Sequence, residues 1–219
     1  MSLSQKLHDA AAPIRQKTLR HPFVVELGRG SLPLDRFRFY MCQDYVFLIE
    51  YSRTLALATA KAADLETMGR FAHLLGVTLN QEMALHREFA AECGISAETL
   101  AATQPAPTTQ AYTNHLVRVA SLGDLAEVVC GLLPCQWGYS EIGQMLAQQG
   151  KPAAAPDYAK WIDMYASPEF VALSAWLREL LDSLAPKTDE EQLTRIFQTS
   201  TRYEYLFWEM AYRTQDWPV

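Results

Sequence analysis

Along most of the chain, apolar residues recur at i, i+3, i+4 and i+7, the spacing that lines one face of an α-helix. Glycine and proline gather at a few points: Gly28 to Pro33, Gly94, Pro105 to Pro107, Gly123, Gly150 to Pro156, Pro168 and Pro186. The segments between them predict helices at roughly Ser4 to Leu19, Pro33 to Ala60, Asp64 to Cys93, Gln110 to Ala120, Asp124 to Gln149, Asp157 to Tyr165, Glu169 to Ser183 and Asp189 to Arg213. Ser31 and Asp64 are suitable N-caps, Gly94 can close its helix in the left-handed conformation, and Gly150 with Pro152 stops the next. Short connections require neighbouring helices to fold back on one another to bury their stripes, so the expected class is all-α, a helical bundle.

The 219 residues are 49% hydrophobic, enough to bury a core as one domain over residues 1–219. The formal net charge is -6 and Lys and Arg are scattered singly, which argues against a nucleic-acid partner. Cys42, Cys93, Cys130 and Cys135 lie in amphipathic or apolar surroundings without CxxC spacing, and a reducing cytoplasm suits them. The N-terminal MSLSQKLHDAA lacks a basic patch followed by an apolar run, and no apolar run reaches bilayer-spanning length, so neither secretion nor a membrane is expected.

Three polar groups interrupt faces that should be apolar. The stripe of the second long helix runs through Phe37, Tyr40, Asp44, Phe47, Leu48, Tyr51, Leu55 and Ala58. A buried carboxylate costs several kcal/mol unless it is paired, so Asp44 either meets a fixed partner, faces a ligand, or is exposed by a slight rotation of the helix. In GLLPCQWGYSEIG, Pro134 leaves the carbonyl of Cys130 without its usual donor and predicts a kink. Cys135 sits at that kink with Tyr139 one turn on, either as a reactive thiol or as a small buried hydrophobe. Glu204 lies one turn before Trp208 among aromatic residues; desolvation would raise its pKa toward the acid-base range, whereas pairing with Arg202 or Arg53 would make it structural. A di-metal carboxylate centre would need Glu-x-x-His pairs that are missing here. Glu82 and His86, spaced i, i+4, read as a helix-surface pair.

The segments HPF (His21 to Phe23), QDYVFL (Gln43 to Leu48), EMALHREF (Glu82 to Phe89), LPCQWGY (Leu133 to Tyr139), YAKWIDMYASPEF (Tyr158 to Phe170) and YEYLFWEMAY (Tyr203 to Tyr212) together resemble the TenA family of thiaminase II enzymes, in that family's order and over nearly the whole chain. The resemblance implies a haem-oxygenase-like helical bundle, assembled as a homotetramer, with no cofactor and no metal. It implies hydrolysis of 4-amino-5-aminomethyl-2-methylpyrimidine to the hydroxymethylpyrimidine in thiamin salvage, with slower cleavage of thiamin. Carried over by motif, Cys135 is the nucleophile, Glu204 the proton donor and acceptor, and Asp44 the pyrimidine anchor. Tyr139 contacts the ring, and Tyr112 and Tyr165 complete the pocket.

That chemistry agrees with the residues. A carboxylate at the ring nitrogen and amino group favours the protonated tautomer, making a ring carbon electrophilic enough for a thiolate. One glutamate can protonate the leaving amine or thiazole and later take a proton from water. Phe47 and Tyr139 would stack on the ring. Some family members carry a tyrosine where this chain has Phe47, and Tyr51, one turn further along the stripe, is the candidate to replace that hydroxyl. Two other classes compete: a non-catalytic regulatory or interaction protein, and a cofactor-biosynthesis oxidase similar to the enzyme that completes pyrroloquinoline quinone. The latter would need cationic groups for a tricarboxylic substrate, where the pocket motifs here supply carboxylates and tyrosines.

Overall fold

The computed structural model describes residues 1–184 and 189–219, with the side chains of all of these except Gln81, Glu82 and Leu85. The break expected at Pro186 lies outside the described residues. Among them there are helices and no strand: α1 (Leu3–Ala10), α2 (Ala12–Leu19), α3 (Pro22–Arg29), α4 (Leu34–Lys61), α5 (Leu65–Val77), a π-helical turn (Thr78–Glu82), α6 (Met83–Glu92), α7 (Ala97–Ala102), α8 (Pro107–Leu122), α9 (Leu125–Gln149), α10 (Pro156–Tyr165), α11 (Pro168–Leu184) and α12 (Glu190–Arg213). The all-α class is as expected. The chain divides into two compact units, one of residues 1–32 and 129–209 and one of residues 33–128 and 210–219.

In the first unit, α1, α2 and α3 accompany most of α9, α10, α11 and most of α12. Asp182 of α11 accepts from the Ser4 backbone N–H at 2.7 Å and from its hydroxyl at 2.9 Å, tying α1 down by its first turn. The Tyr158 hydroxyl donates to the Leu32 carbonyl at 2.7 Å, holding α10 to the segment after α3. In α9 the helix runs without interruption through Pro134. Gly143, also in α9, lets the end of α10 approach so closely that a Cβ there would lie 2.6 Å from the Tyr165 carbonyl carbon.

The second unit is built around α4. Every position of the stripe read from the sequence, from Phe37 to Ala58, is buried, including Asp44. Gln43 on α4 organises the approach to α8: its side chain donates to the Gln104 carbonyl at 3.1 Å and accepts from the Ala106 N–H at 2.9 Å and the Thr109 hydroxyl at 2.7 Å. Asp64 caps α5 by accepting from the Thr67 N–H at 2.8 Å, and Gly94 takes φ +75° after α6, both as expected.

Several expected boundaries are corrected. The first helix breaks at Ala11, because Pro13 has no N–H to continue the ladder and instead opens α2. The segment after it forms α3, where His21 caps the helix by accepting from the Phe23 N–H at 3.2 Å and Pro22 supplies a favourable first position. Ser31 is not an N-cap, since α4 starts after Pro33 with no side-chain cap. The single helix expected from Asp64 to Cys93 is two helices joined by the π-turn, which inserts one residue and shifts the buried face. The short α7, capped by Ser96, was not expected, and α8 starts at Pro107 rather than Gln110.

Candidate active site

The expected site residues divide between the two units. In the unit around α4, Asp44, Phe47 and Tyr51 stand at i, i+3 and i+7 on one buried stripe. The Phe47 ring lies 5.9 Å from Tyr51, stacked, and 5.1 Å from Tyr112 of α8, so three of the expected pocket aromatics form one cluster. Asp44 is 4% exposed. The Tyr40 hydroxyl lies 3.5 Å from its Oδ2, and so does Nε2 of His86, which also donates to the Met41 carbonyl at 3.2 Å. Burial pushes the His86 pKa down to about 4, partly opposed by the Met41 hydrogen bond, so His86 is neutral at pH 7. His86 is 5% exposed, which corrects its reading as half of a surface pair; the Glu82 side chain lies outside the described residues.

In the other unit, Tyr139 of α9 is buried against Tyr165 at the end of α10, 4.7 Å between centroids, with Trp208 at 5.2 Å and Trp161 at 5.9 Å. Cys135 is half-buried and one turn from Tyr139. Glu204 is 7% exposed. Of the two arginines considered as its partners, Arg53 pairs with Glu50 and Arg202 is exposed.

Glu204 lines a cleft. On α12 the lining residues are Phe197, Thr201, Glu204 and Trp208, spaced i, i+4, i+7 and i+11, which is one helical face. On α9 they are Pro134, Trp137, Gly138, Glu141 and Ile142, again one face. Cys135 and Tyr139 belong to the neighbouring stripe, about 100° around the helix, and are not among the lining residues. At the cleft, Arg15 of α2 donates to both Glu141 oxygens at 2.6 and 2.7 Å, and Nε2 of His8 lies 2.9 Å from the same carboxylate. Partial burial pushes the Glu141 pKa up, but the hydrogen bonds and charge of His8 and Arg15 outweigh it and hold the carboxyl below its ordinary value. The His8 ring stacks on Trp137 at 3.7 Å, and the Arg178 guanidinium sits 3.9 Å over the same indole.

The model of the family described as TENA/THI-4/PQQC matches residues 8–214. The chain belongs to this family. An aminopyrimidine aminohydrolase from Halalkalibacterium halodurans is 46% identical over 99% of this chain and 98% of its own. Among solved structures, a TenA homologue from P. horikoshii OT3 is 32% identical, with a TM-score of 0.92 over 97% of this chain and 99% of its own. A Shewanella denitrificans protein described as having a heme oxygenase-like fold superposes with a TM-score of 0.74 at 15% identity, covering 96% of this chain and 92% of its own, a likeness of fold alone. The fold is thus the expected haem-oxygenase-like bundle.

For a TENA/THI-4/PQQC chain, these groups supply two buried carboxylates, a partly accessible thiol and two clusters of aromatic rings. Buried carboxylates and a thiol can move protons and attack an electrophilic ring, and the rings can hold a flat heterocycle. Among the described residues, no three His, Cys, Asp or Glu side chains are grouped so as to hold a metal ion. No described helix is long and apolar enough to cross a membrane. Sequence reasoning missed His86, although Met83, His86, Ala90 and Cys93 follow helical spacing and are all buried. It also missed the Arg15, Glu141 and His8 cluster, whose members lie far apart in sequence.

Proposed function

We propose that the chain is an aminopyrimidine aminohydrolase acting in thiamin salvage. Its substrate is 4-amino-5-aminomethyl-2-methylpyrimidine and its product the hydroxymethylpyrimidine, with thiaminase II activity on thiamin as a slower, related reaction. The observation that carries this is the 46% identity, over nearly the full length of both chains, to a protein named for that activity. The burial of Asp44 and Glu204 on two helices of a family fold supports it. In this reading Asp44 anchors the pyrimidine and Cys135 adds to the ring. Glu204 protonates the departing amine and then accepts a proton from water, and Phe47, Tyr51, Tyr112, Tyr139 and Tyr165 hold the ring. Residues 1–219 act as a single domain of a cytoplasmic homotetramer that works without cofactor or metal, with a small-molecule aminopyrimidine or thiamin as its ligand and no nucleic-acid or membrane partner.

The test is chromatography of the two pyrimidines after incubation with purified protein and no added metal. Conversion is expected, and Cys135→Ser or Glu204→Gln is expected to slow it at least about a hundredfold, the scale of a positioned nucleophile or acid-base group. Full activity of Cys135→Ser removes the nucleophile assignment. Turnover of neither pyrimidine by the wild-type protein favours a regulatory or interaction protein instead.

A further inference from the structure

The proposed reaction consumes a water molecule, and the face of α9 that carries Cys135 and Tyr139 is the face assigned to the heterocycle. Glu204, however, also lines a cleft reached from the adjoining face of α9, and Cys135 is not part of that lining. Trp208 lines the cleft and packs against Tyr139, so one indole stands between the cleft and the aromatic wall.

Gly138 stands on the wall of this cleft. It lies in the interior of the 25-residue helix α9, where glycine costs roughly 0.5–1 kcal/mol relative to alanine. A Cβ added there meets nothing within 4 Å, so no close approach of another group explains the glycine. What its missing side chain leaves is open space beside Glu204's cleft. The cleft walls are mostly apolar, and their polar part is the hydrogen-bonded cluster of Arg15, Glu141 and His8. Buried Nδ1 of His8 has no hydrogen-bonding partner among the described residues, and a buried polar atom of that kind is satisfied by water.

We propose that this cleft is a water passage to Glu204, separate from the face of α9 that presents Cys135 and held open by Gly138. The inference rests on the reaction proposed above. In that reaction the Cys135 thiolate bonds to a ring carbon and the bond from the methylene carbon to nitrogen breaks. Ammonia leaves with a proton from Glu204, and an electron-poor methylene remains on the tethered ring. Water arriving through the cleft then forms a bond from its oxygen to that methylene carbon and gives its proton to the Glu204 carboxylate. The thiolate departs with the electron pair of its carbon–sulfur bond and the aromatic ring is restored. The sum is aminomethylpyrimidine plus water giving hydroxymethylpyrimidine plus ammonia. Only the second half needs the passage.

Filling the cleft therefore slows the second half and spares the first. Gly138→Leu, with Gly138→Ala as a smaller filling, is compared with wild type for ammonia release in the first turnover, steady-state rate, and mass of the intact protein during turnover. Gly138→Leu is expected to release about one equivalent of ammonia per chain in a burst. It then turns over at least about tenfold more slowly than wild type and accumulates a species heavier by the pyrimidinylmethyl group. Thr201→Val, which removes a hydroxyl from the wall without adding bulk, is expected to build up the same species and keeps the test available if the leucine variant does not fold. Folded variants with wild-type steady-state rates, or with burst and steady state lost in proportion and no heavier species, overturn the passage while the reaction stands. Absence of turnover in the wild-type protein overturns both.

Discussion

Burial of His86 beside Asp44 makes the stability of the protein depend on pH in a calculable way. The group facing His86 from α4 is the Asp44 carboxylate, 3.5 Å from Nε2, together with the Met41 carbonyl at 3.2 Å. Desolvation lowers the histidine from 6.5 to about 4. Between those values the unfolded chain holds a proton that the folded chain refuses, so stability falls as the pH is lowered through this window and is fully present above 6.5. Applying the two values to a single site gives a loss of about 2 kcal/mol between about pH 7.5 and pH 5. The assay is urea unfolding followed by circular dichroism at both pH values, for wild type and for His86→Gln. The glutamine keeps an N–H to offer the Met41 carbonyl but has nothing to titrate. The partly buried His115, whose pKa is lowered by burial and by Arg118, is common to both proteins, so its contribution cancels in the difference. Wild type should lose about 2 kcal/mol more than the variant. Equal losses would refute the reasoning, because His86 would then be charged in the folded protein, held so by Asp44.

Three substitutions in α9 and its partners test the packing and the charge cluster. Gly143→Ala should destabilise by about 1–3 kcal/mol in urea unfolding, because the new methyl meets the backbone of Tyr165 and Ala166, which cannot rotate away; Gly138→Ala, in the same helix but free of contacts, should instead gain about 0.5–1 kcal/mol. Arg15→Gln should raise the titration of Glu141, followed by carboxyl carbon NMR, from below its ordinary value to above its wild-type position. Because a depressed carboxylate stabilises the fold above its unfolded pKa and loses that contribution as pH falls through its folded pKa, the variant should also be less stable than wild type near neutrality and lose less on acidification.

The parts of the fold legible in the sequence are those where one helix carries its own evidence. The stripe from Phe37 to Ala58 spans many turns at a constant period, so its face could be read without knowing what it packs against, and Asp44 could be recognised as an intruder on it. The π-turn at Thr78–Glu82 has no compositional mark; it changes the period by one residue, and a reader extending the pattern from Asp64 carries the wrong face into α6. Spacing of i, i+4 from Glu82 suggests a surface pair for His86, whereas its burial places it with Met83, Ala90 and Cys93 in the interior.

The same reasoning separates what could and could not be read at α9. Periodicity alone places Glu141 on a different face from Tyr139, because two residues turn the helix by about 200°. What it cannot supply is the identity of the groups across from Glu141. Arg15 and His8 are more than a hundred residues away in sequence, and nothing in their own segments distinguishes them from other surface cations. Gly138 is the exception that a sequence could have offered. A glycine in a long helix, flanked by Trp137 and Tyr139 and with no turn to make, costs stability for which local structure gives no return. With no atom within 4 Å of where its Cβ would stand, no close approach to the backbone requires the glycine, and the cleft beside it is what the proposal above rests on.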